Sequence, residues 1–155
     1  MTHEHHYKVT TVWQGNKGEG TNNVRTYDRS HIVHNNGKPD LHLTTDNAAV
    51  GDNSKLNPED LLVSAISSCH MLSYLYLCAL ENIIVTEYID QATGIMIENS
   101  NGGGQFKAVT LNPNMKVKQE TMIPKAIELH HKAHEICYIA NSVNFEVICN
   151  PACTV

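Results

Sequence analysis

The stretch that decides the fold is residues 57–80, which read NPEDLLVSAISSCHMLSYLYLCAL. Asn57 is a favoured N-cap residue and Pro58 suits the first helical position, while the acidic Glu59 and Asp60 complement the positive end of a helix dipole. No glycine or proline interrupts the segment after Pro58. These features predict one long helix. Apolar residues on almost every side of it indicate burial at the centre of the fold or of an oligomer.

The segments on either side of this helix have the composition of β-strands. The predicted strands are residues 7–13, 23–29, 30–34, 41–45, 83–90, 92–98, 106–111, 115–118 and 143–149, and a second helix starts at Pro124 and ends at about residue 138 or 140. This order predicts an α+β fold, a single domain over residues 1–155, with two helices against antiparallel sheet. The tail that carries Cys149 and Cys153 is expected to fray.

Composition argues against several functional classes. The chain has 155 residues, 11 Lys and Arg and 16 Asp and Glu, for a net charge of −5. Phosphate binding needs clustered basic residues, so nucleic acid is not the expected partner. No run of 18 apolar residues is present, and we therefore expect no membrane span. Without the apolar core of a signal peptide, a cytoplasmic protein with reduced thiols is expected.

Five cysteines form a poor disulfide framework and favour thiol chemistry, metal binding or small buried residues. Cys69 lies midway along the first helix and Cys137 near the end of the second. Their spacing alone favours small buried residues, but the two thiols meet if the helices pack. Arg25 and Arg29 are the only arginines, so each is a candidate for a specific pairing.

A family resemblance becomes visible at this point. Residues 57–62, NPEDLL, with Cys69 ten residues after Glu59, resemble the N-P-E-x-L…C signature of the OsmC/Ohr family of osmotically inducible protein C-like and organic hydroperoxide resistance proteins. Residues 27–31 match a Y-x-R-x-H pattern, and residues 133–142, AHEICYIANS, are similar to one OsmC-like branch. The resemblance covers nearly the whole chain.

The resemblance implies an OsmC-like fold, in which antiparallel sheets wrap around two central helices in an intertwined homodimer. It also implies a thiol-dependent peroxidase, an antioxidant enzyme of oxidative stress that reduces organic hydroperoxides, with hydrogen peroxide as a further candidate substrate, and that needs no cofactor or metal. Cys69 would be the peroxidatic thiol and Cys137 the resolving thiol. Arg29 and Glu59 would organise the reactive thiolate. A dithiol reductant would then reduce the Cys69–Cys137 disulfide.

The chemistry agrees with these roles, because only a thiolate attacks a peroxide and a nearby guanidinium favours the charged form. Ten helical residues rise about 15 Å, so Glu59 is expected to approach Cys69 of a partner subunit across a two-fold axis. The sequence departs from the family pattern at two places, Lys55-Leu56 before the N-P-E run and His70 beside the thiol. These differences concern which substrate is preferred rather than the chemistry.

Two other classes stay open. His130, His134 and Cys137 fall at i, i+4 and i+7 on one face of the second helix, and either Cys69 or His70 from the first helix would complete a tetrahedral zinc set. A binding module that kept the fold without the peroxidase activity is the third class.

Overall fold

The computed structural model describes residues 3–47 and 49–155. The helices in this part of the chain are α1 (Pro58–Leu80) and α2 (Ile123–Ile136), and the strands are β1 (Thr10–Trp13), β2 (His31–His34), β3 (Leu41–Leu43), β4 (Val85–Asp90), β5 (Thr93–Glu98), β6 (Gly104–Leu111), β7 (Pro113–Val117), β8 (Glu146–Cys149) and β9 (Ala152–Thr154). The predicted class, two helices with β-sheet, is confirmed. The chain forms two compact units, one up to Leu61 and one over Leu62–Val155. The single-domain prediction stays a prediction.

The first unit contains an antiparallel sheet in the order β1-β2-β3. Ile32 on β2 and Leu43 on β3 are its buried apolar residues. The predicted strand over residues 23–29 is wrong. The Asn23 side chain accepts the Arg25 N–H, and its carbonyl accepts the Thr26 N–H at 3.0 Å. Such local bonds form a turn and compete with strand pairing.

The start of α1 is fixed by a reciprocal capping box, as the sequence predicts. The Asn57 side chain accepts the Asp60 N–H at 2.8 Å, and the Asp60 carboxylate accepts the Asn57 N–H at 3.2 Å. Each bond satisfies a backbone donor that the first turn leaves without an intrahelical partner.

The end of α1 is fixed by a left-handed residue. Asn82 has φ 58°, and Ile83 donates its N–H to the Cys78 carbonyl at 2.8 Å. Asparagine tolerates this conformation better than most residues, and the reversal it produces satisfies the last carbonyls of the helix. The chain then turns into β4.

The second unit has two three-stranded sheets, β4-β7-β9 and β5-β6-β8. Pairing is antiparallel within β4–β7 and β5–β6, but parallel within β6–β8 and β7–β9. The expectation of purely antiparallel sheets is therefore wrong. A parallel neighbour needs a long crossover, and α2 lies within the connection that returns the chain to β8 beside β6.

The C-terminal tail is ordered, contrary to expectation. Ala152–Thr154 forms β9 on the edge of β7, with Met115 opposite Cys153. Cys153 also packs on a buried cluster that includes Tyr74 and Leu129. Burial of this side chain offsets the entropy of ordering the last residues.

Helix α1 buries one side only within this chain. Its buried residues are spaced four apart and are Ile66, His70, Tyr74 and Cys78. On another side Leu72, Tyr76 and Leu80 are 62%, 60% and 61% exposed. The helix has the length and mean hydropathy, 1.5, of a membrane span, although no run of 18 purely apolar residues occurs in it. The expected full burial of α1 therefore requires cover from outside this chain.

The backbone of β5 approaches α1 closely at Gly94. A Cβ atom there would lie 2.7 Å from Phe106 Cε1 and 2.9 Å from Val63 Cγ2. We expect Gly94→Ala to lower the free energy of unfolding by about 1–3 kcal/mol through overpacking. Gly103→Ala is the control, because its nearest atom would be 3.4 Å away. Urea unfolding measures both, and equal effects would contradict the packing.

Candidate functional site

Two of the five free thiols interact with each other, those of Cys69 and Cys137. Cys69 lies midway along α1 and is partly exposed, whereas Cys137 is fully buried at the C-cap of α2. The two residues are distant in sequence and come together through the packing of the two helices. The pair therefore has one thiol that solvent reaches and one that is shielded from it.

The backbone around Cys137 is held by Asn141. The Asn141 side chain donates to the carbonyls of Glu135 and Cys137 at 2.9 and 3.0 Å, and its own N–H donates to the Cys137 carbonyl. These bonds satisfy carbonyls at the end of α2 that lack an intrahelical partner. They fix the direction in which the Cys137 side chain leaves the helix.

Opposing effects act on the Cys137 thiol. Burial, the largest, raises its pKa to about 11, and the neighbouring Cys69 thiol acts in the same direction. The backbone at Ile139 and Ala140 acts in the opposite direction and favours the thiolate. Because burial dominates, Cys137 is a neutral thiol at neutral pH.

Cys69 lies on the exposed apolar side of α1. Cys69, Leu72 and Tyr76 are spaced i, i+3 and i+7, so they share one face of the helix. Leu72 and Tyr76 are mostly solvent-exposed. The accessible thiol thus borders apolar surface that this chain does not cover.

Arg29 is held in the first unit by Tyr27. Its Nη1 donates to the Tyr27 carbonyl at 2.7 Å, and its guanidinium carbon lies 4.1 Å from the centre of the Tyr27 ring. Arg25 is fully exposed in the turn that replaces the predicted strand. Of the two arginines, Arg29 is therefore the one with an ordered, half-buried guanidinium.

Glu59, also in the first unit, occupies the first turn of α1. Its Oε2 is buried and has no hydrogen-bond partner in the described part of the chain. The Arg29 guanidinium, which bonds to Tyr27, makes no ion pair with it there. This carboxylate oxygen retains its full capacity to accept a hydrogen bond.

A second cluster joins α1, α2 and β8. His70 Nε2 lies 2.9 Å from His130 Nδ1, and Cys149 Sγ lies 3.6 Å from the first nitrogen and 3.7 Å from the second. Within residues 3–47 and 49–155, these three side chains bring their potential metal-ligating atoms close together. The Tyr74 ring stacks on His130, with 3.9 Å between ring centres.

This cluster differs from the zinc set expected from the sequence. His130 belongs to it, but His134 and Cys137 do not. Cys137 is the fully buried C-cap residue of α2. Its sulfur contacts Cys69 instead.

Burial keeps the three groups of the cluster uncharged. It is the main cause that lowers the pKa of His70 to about 4 and of His130 to about 3, and it raises the pKa of Cys149 to about 11. The Asp90 carboxylate partly opposes the fall in the His70 pKa and adds to the rise for Cys149. Both imidazoles are therefore neutral at neutral pH.

A groove of about 420 Å³ lies along α1 beside β4. Its lining residues are Val63, Ser64, Ser67, Ser68, Met71, Tyr88, Asp90 and Ala92. The Asp90 carboxylate there accepts hydrogen bonds from the Ser67 hydroxyl and from the Asn112 N–H, the latter at 2.7 Å. These bonds fix Asp90 as an oriented negative charge.

Sequence reasoning missed Cys149 and Asp90 as neighbours of a histidine pair. The predicted strand over residues 143–149 ends at Cys149, but nothing in the sequence indicates that this end lies beside two histidines. The four-residue spacing of Ile66, His70, Tyr74 and Cys78 was the available signal for His70, because it places the imidazole in a buried stripe.

A family model described as OsmC-like protein matches residues 51–150. A solved OsmC-like protein of unknown function from Vibrio cholerae is 28% identical, with a TM-score of 0.84, over 96% of this chain and 99% of its own. An organic hydroperoxide resistance protein from Elizabethkingia anophelis is 22% identical, with a TM-score of 0.75, over 99% of this chain and 100% of its own. An organic hydroperoxide resistance protein from Bacillus subtilis is 21% identical, with a TM-score of 0.66, over 97% of this chain and 98% of its own.

No curated protein matches the chain at a significant level. The solved structures and the described fold agree in class, and the family model extends from the end of the first unit through α1 and α2 to β8. It therefore includes both thiols of the Cys69–Cys137 pair and both histidines of the second cluster. The chain belongs to the OsmC-like family.

Proposed function

We propose that this protein is a thiol-dependent peroxidase that reduces organic hydroperoxides through Cys69 and Cys137. The observation that carries the proposal is the interaction between an accessible thiol and a buried one, on different elements and far apart in sequence. Family membership supports a hydroperoxide-resistance role, since two of the structurally similar proteins bear that name.

In the first step the Cys69 thiolate attacks the terminal oxygen of the hydroperoxide. The O–O bond breaks, the sulfur gains that oxygen as a sulfenic acid, and the leaving alkoxide takes up a proton to become an alcohol. Cys69 suits this step because its side chain is partly exposed, whereas Cys137 is buried. The apolar surface formed by Leu72 and Tyr76 next to Cys69 favours hydroperoxides with an organic substituent.

In the second step the Cys137 sulfur attacks the Cys69 sulfenic sulfur. The S–S bond forms and the hydroxyl leaves as water, so two thiols and one hydroperoxide give a disulfide, an alcohol and water. The interaction between the two thiols supports this step, because the step needs the two sulfurs near each other. The backbone at Ile139 and Ala140 stabilises the Cys137 thiolate as it forms.

The disulfide is then reduced by a dithiol through exchange, which completes the cycle. We propose that this occurs in the cytoplasm, where thiols are kept reduced. No cofactor or metal is required by this chemistry.

We further propose that Arg29 and Glu59 serve Cys69 across the interface of a homodimer. Arg29 supports the role because its guanidinium is held in place by Tyr27, and Glu59 because one of its carboxylate oxygens is buried without a partner. A carboxylate with a free acceptor is a suitable bidentate partner for a guanidinium. An ordered guanidinium near Cys69 would favour the thiolate.

A homodimer would also cover the exposed side of α1. Leu72, Tyr76 and Leu80 present a continuous apolar row that a single chain leaves in water. Contiguous exposed apolar surface of this kind marks an interface in a soluble protein. We propose that a second copy packs there, with the sheets of the two copies wrapped around their central helices.

Cysteine variants test the nucleophile and the resolving thiol. We expect Cys69→Ser to abolish turnover of cumene hydroperoxide with a dithiol reductant. Cys137→Ser should complete one oxidation and stop at a sulfenic acid that dimedone labels at Cys69. Mass spectrometry of the peptides and a coupled reductant assay measure both outcomes.

Cys78→Ser is the matched control, because Cys78 also lies on α1 but is buried in a different cluster. It should retain turnover. Near-normal turnover in Cys69→Ser would show that Cys69 is not the nucleophile. Absence of any oxidation in the wild-type protein would favour a binding module that keeps the fold without the activity.

The raised pKa of Cys137 predicts a distinct pH dependence of its alkylation. Because its pKa is about 11, the thiolate fraction rises about tenfold for each pH unit between pH 7 and 10. The logarithm of the iodoacetamide rate at Cys137 should therefore still rise at pH 10. In urea the same residue should level off above about pH 8.5, as a free cysteine does. A plateau below pH 9 in the folded protein would contradict the assignment.

A charge on the exposed side of α1 tests the dimer. Sedimentation of the wild-type protein at micromolar concentration should give about twice 17.2 kDa. Leu72→Asp should give monomers, because a buried interfacial carboxylate has no partner there. Ile127→Asp, at an exposed aliphatic residue of α2, is the control and should remain a dimer. A monomeric wild-type protein with full activity would rule out the shared site.

A further inference from the structure

We propose that His70, His130 and Cys149 form a binding site for a zinc ion, separate from the Cys69–Cys137 pair. The three side chains come from α1, α2 and β8, which are distant in sequence and meet within the second unit. The site uses neither thiol of the proposed peroxidase reaction, so the two proposals stand or fall independently.

The distances suit a four-coordinate ion. Zinc binds imidazole nitrogen at about 2.0–2.1 Å and thiolate sulfur at about 2.3 Å, which places N and S ligands about 3.6 Å apart in a tetrahedron. Cys149 Sγ lies 3.6 and 3.7 Å from the two nitrogens. The nitrogens are 2.9 Å apart, and parting by about 0.5 Å would give the tetrahedral spacing.

The donor set selects the class of ion. Two imidazoles and one thiolate are typical ligands of zinc, whereas calcium and magnesium prefer oxygen. Both imidazoles are neutral, so each has a lone pair to donate. A bound divalent ion deprotonates its thiol ligand, which leaves one positive charge on the ion and its ligands together. The nearby Asp90 carboxylate balances that charge.

The described residues supply three ligands, and the fourth position is left for a water molecule or an external ligand, as in catalytic rather than structural zinc sites. The nitrogens that face away from the ion, His70 Nδ1 and His130 Nε2, are buried without a hydrogen-bond partner in the residues described. Zinc-bound imidazoles normally donate from this second nitrogen, and losing such a partner weakens binding by about 10–100-fold. We therefore expect weaker binding than in a structural zinc site.

The same two nitrogens argue against a purely hydrogen-bonded imidazole pair without a metal ion. When the imidazoles share one hydrogen bond between Nε2 and Nδ1, one of the two outer nitrogens must carry a proton. Whichever tautomer forms, that N–H is buried without an acceptor. A simple buried hydrogen-bonded pair thus leaves one N–H donor without an acceptor.

Cobalt(II) is the spectroscopic probe. Reduced protein stripped with a chelator is titrated with Co²⁺, and we expect a thiolate-to-cobalt charge-transfer band and the visible bands of a four-coordinate ion, saturating at one equivalent per chain. Zn²⁺ should displace the cobalt. Cys149→Ser should remove the charge-transfer band, and His130→Gln should weaken Co²⁺ binding at least about 100-fold, more than loss of an outer partner does.

Two matched controls accompany these variants. Cys153→Ser changes a thiol on the neighbouring strand β9, and His131→Gln changes the exposed histidine next to His130. Both should bind Co²⁺ as the wild-type protein does. Replacing His3, His5 and His6 together with asparagine should also leave the band unchanged. Loss of the band in that variant would overturn the proposal in favour of the histidine-rich N-terminal segment.

A measurement on the wild-type protein avoids variants that fail to fold. Alkylation of each cysteine is followed by peptide mass spectrometry with and without one equivalent of Zn²⁺. Zinc should slow alkylation of Cys149 and leave that of Cys69 unchanged. Protection of Cys69 or Cys137 instead, no protection at all, or a Co²⁺ thiolate band that survives in Cys149→Ser would each overturn the proposal.

Discussion

The second unit depends on one contact between helices, in which Tyr74 and His70 of α1 meet His130 of α2. The Tyr74 and His130 rings stack with 3.9 Å between centres, and the two imidazoles are 2.9 Å apart. Aromatic groups bury large areas, and these remain uncharged because burial disfavours imidazolium. His70 follows Cys69 directly in the sequence, so the packing of His70 on His130 lies beside the Cys69–Cys137 pair.

The sequence predicts those parts of the fold whose signals are local. The start of α1 follows from Asn57 and Asp60, because a capping box involves only neighbouring residues. The strand predicted over residues 23–29 failed because Asn23 and Thr26 form local bonds that periodicity does not register. Strand β9 was missed because three residues carry no pattern, and its order comes from pairing with β7. The Cys69–Cys137 pair was predicted through a family motif, whereas the cluster with Cys149 needs the crossover that places β8 beside β6.

The apolar side of α1 imposes a second constraint, which the single chain leaves unmet. Three large apolar side chains are mostly exposed there, those of Leu72, Tyr76 and Leu80. Full burial of a large apolar side chain stabilises a protein by about 1.5–3 kcal/mol. A helix that served only this chain's core would carry polar residues there. Cys69, which is partly exposed, lies beside this apolar row. In the proposed dimer, the copy that covers the row would therefore also control access to the Cys69 thiol.

Residues 69 and 70 are adjacent, yet they belong to different clusters because successive side chains on an α-helix are about 100° apart. Cys69 is directed to the partly exposed side with Cys137, and His70 to the fully buried side with His130 and Cys149. This separation matters for thiol chemistry. Burial raises the pKa of both Cys137 and Cys149 to about 11, so position rather than acidity distinguishes the two thiols. Cys149 lies against His70 and His130 rather than against Cys69, so it can share the unit without competing with Cys137 for an oxidised Cys69. Its sulfur becomes a donor only where a cation stabilises the thiolate.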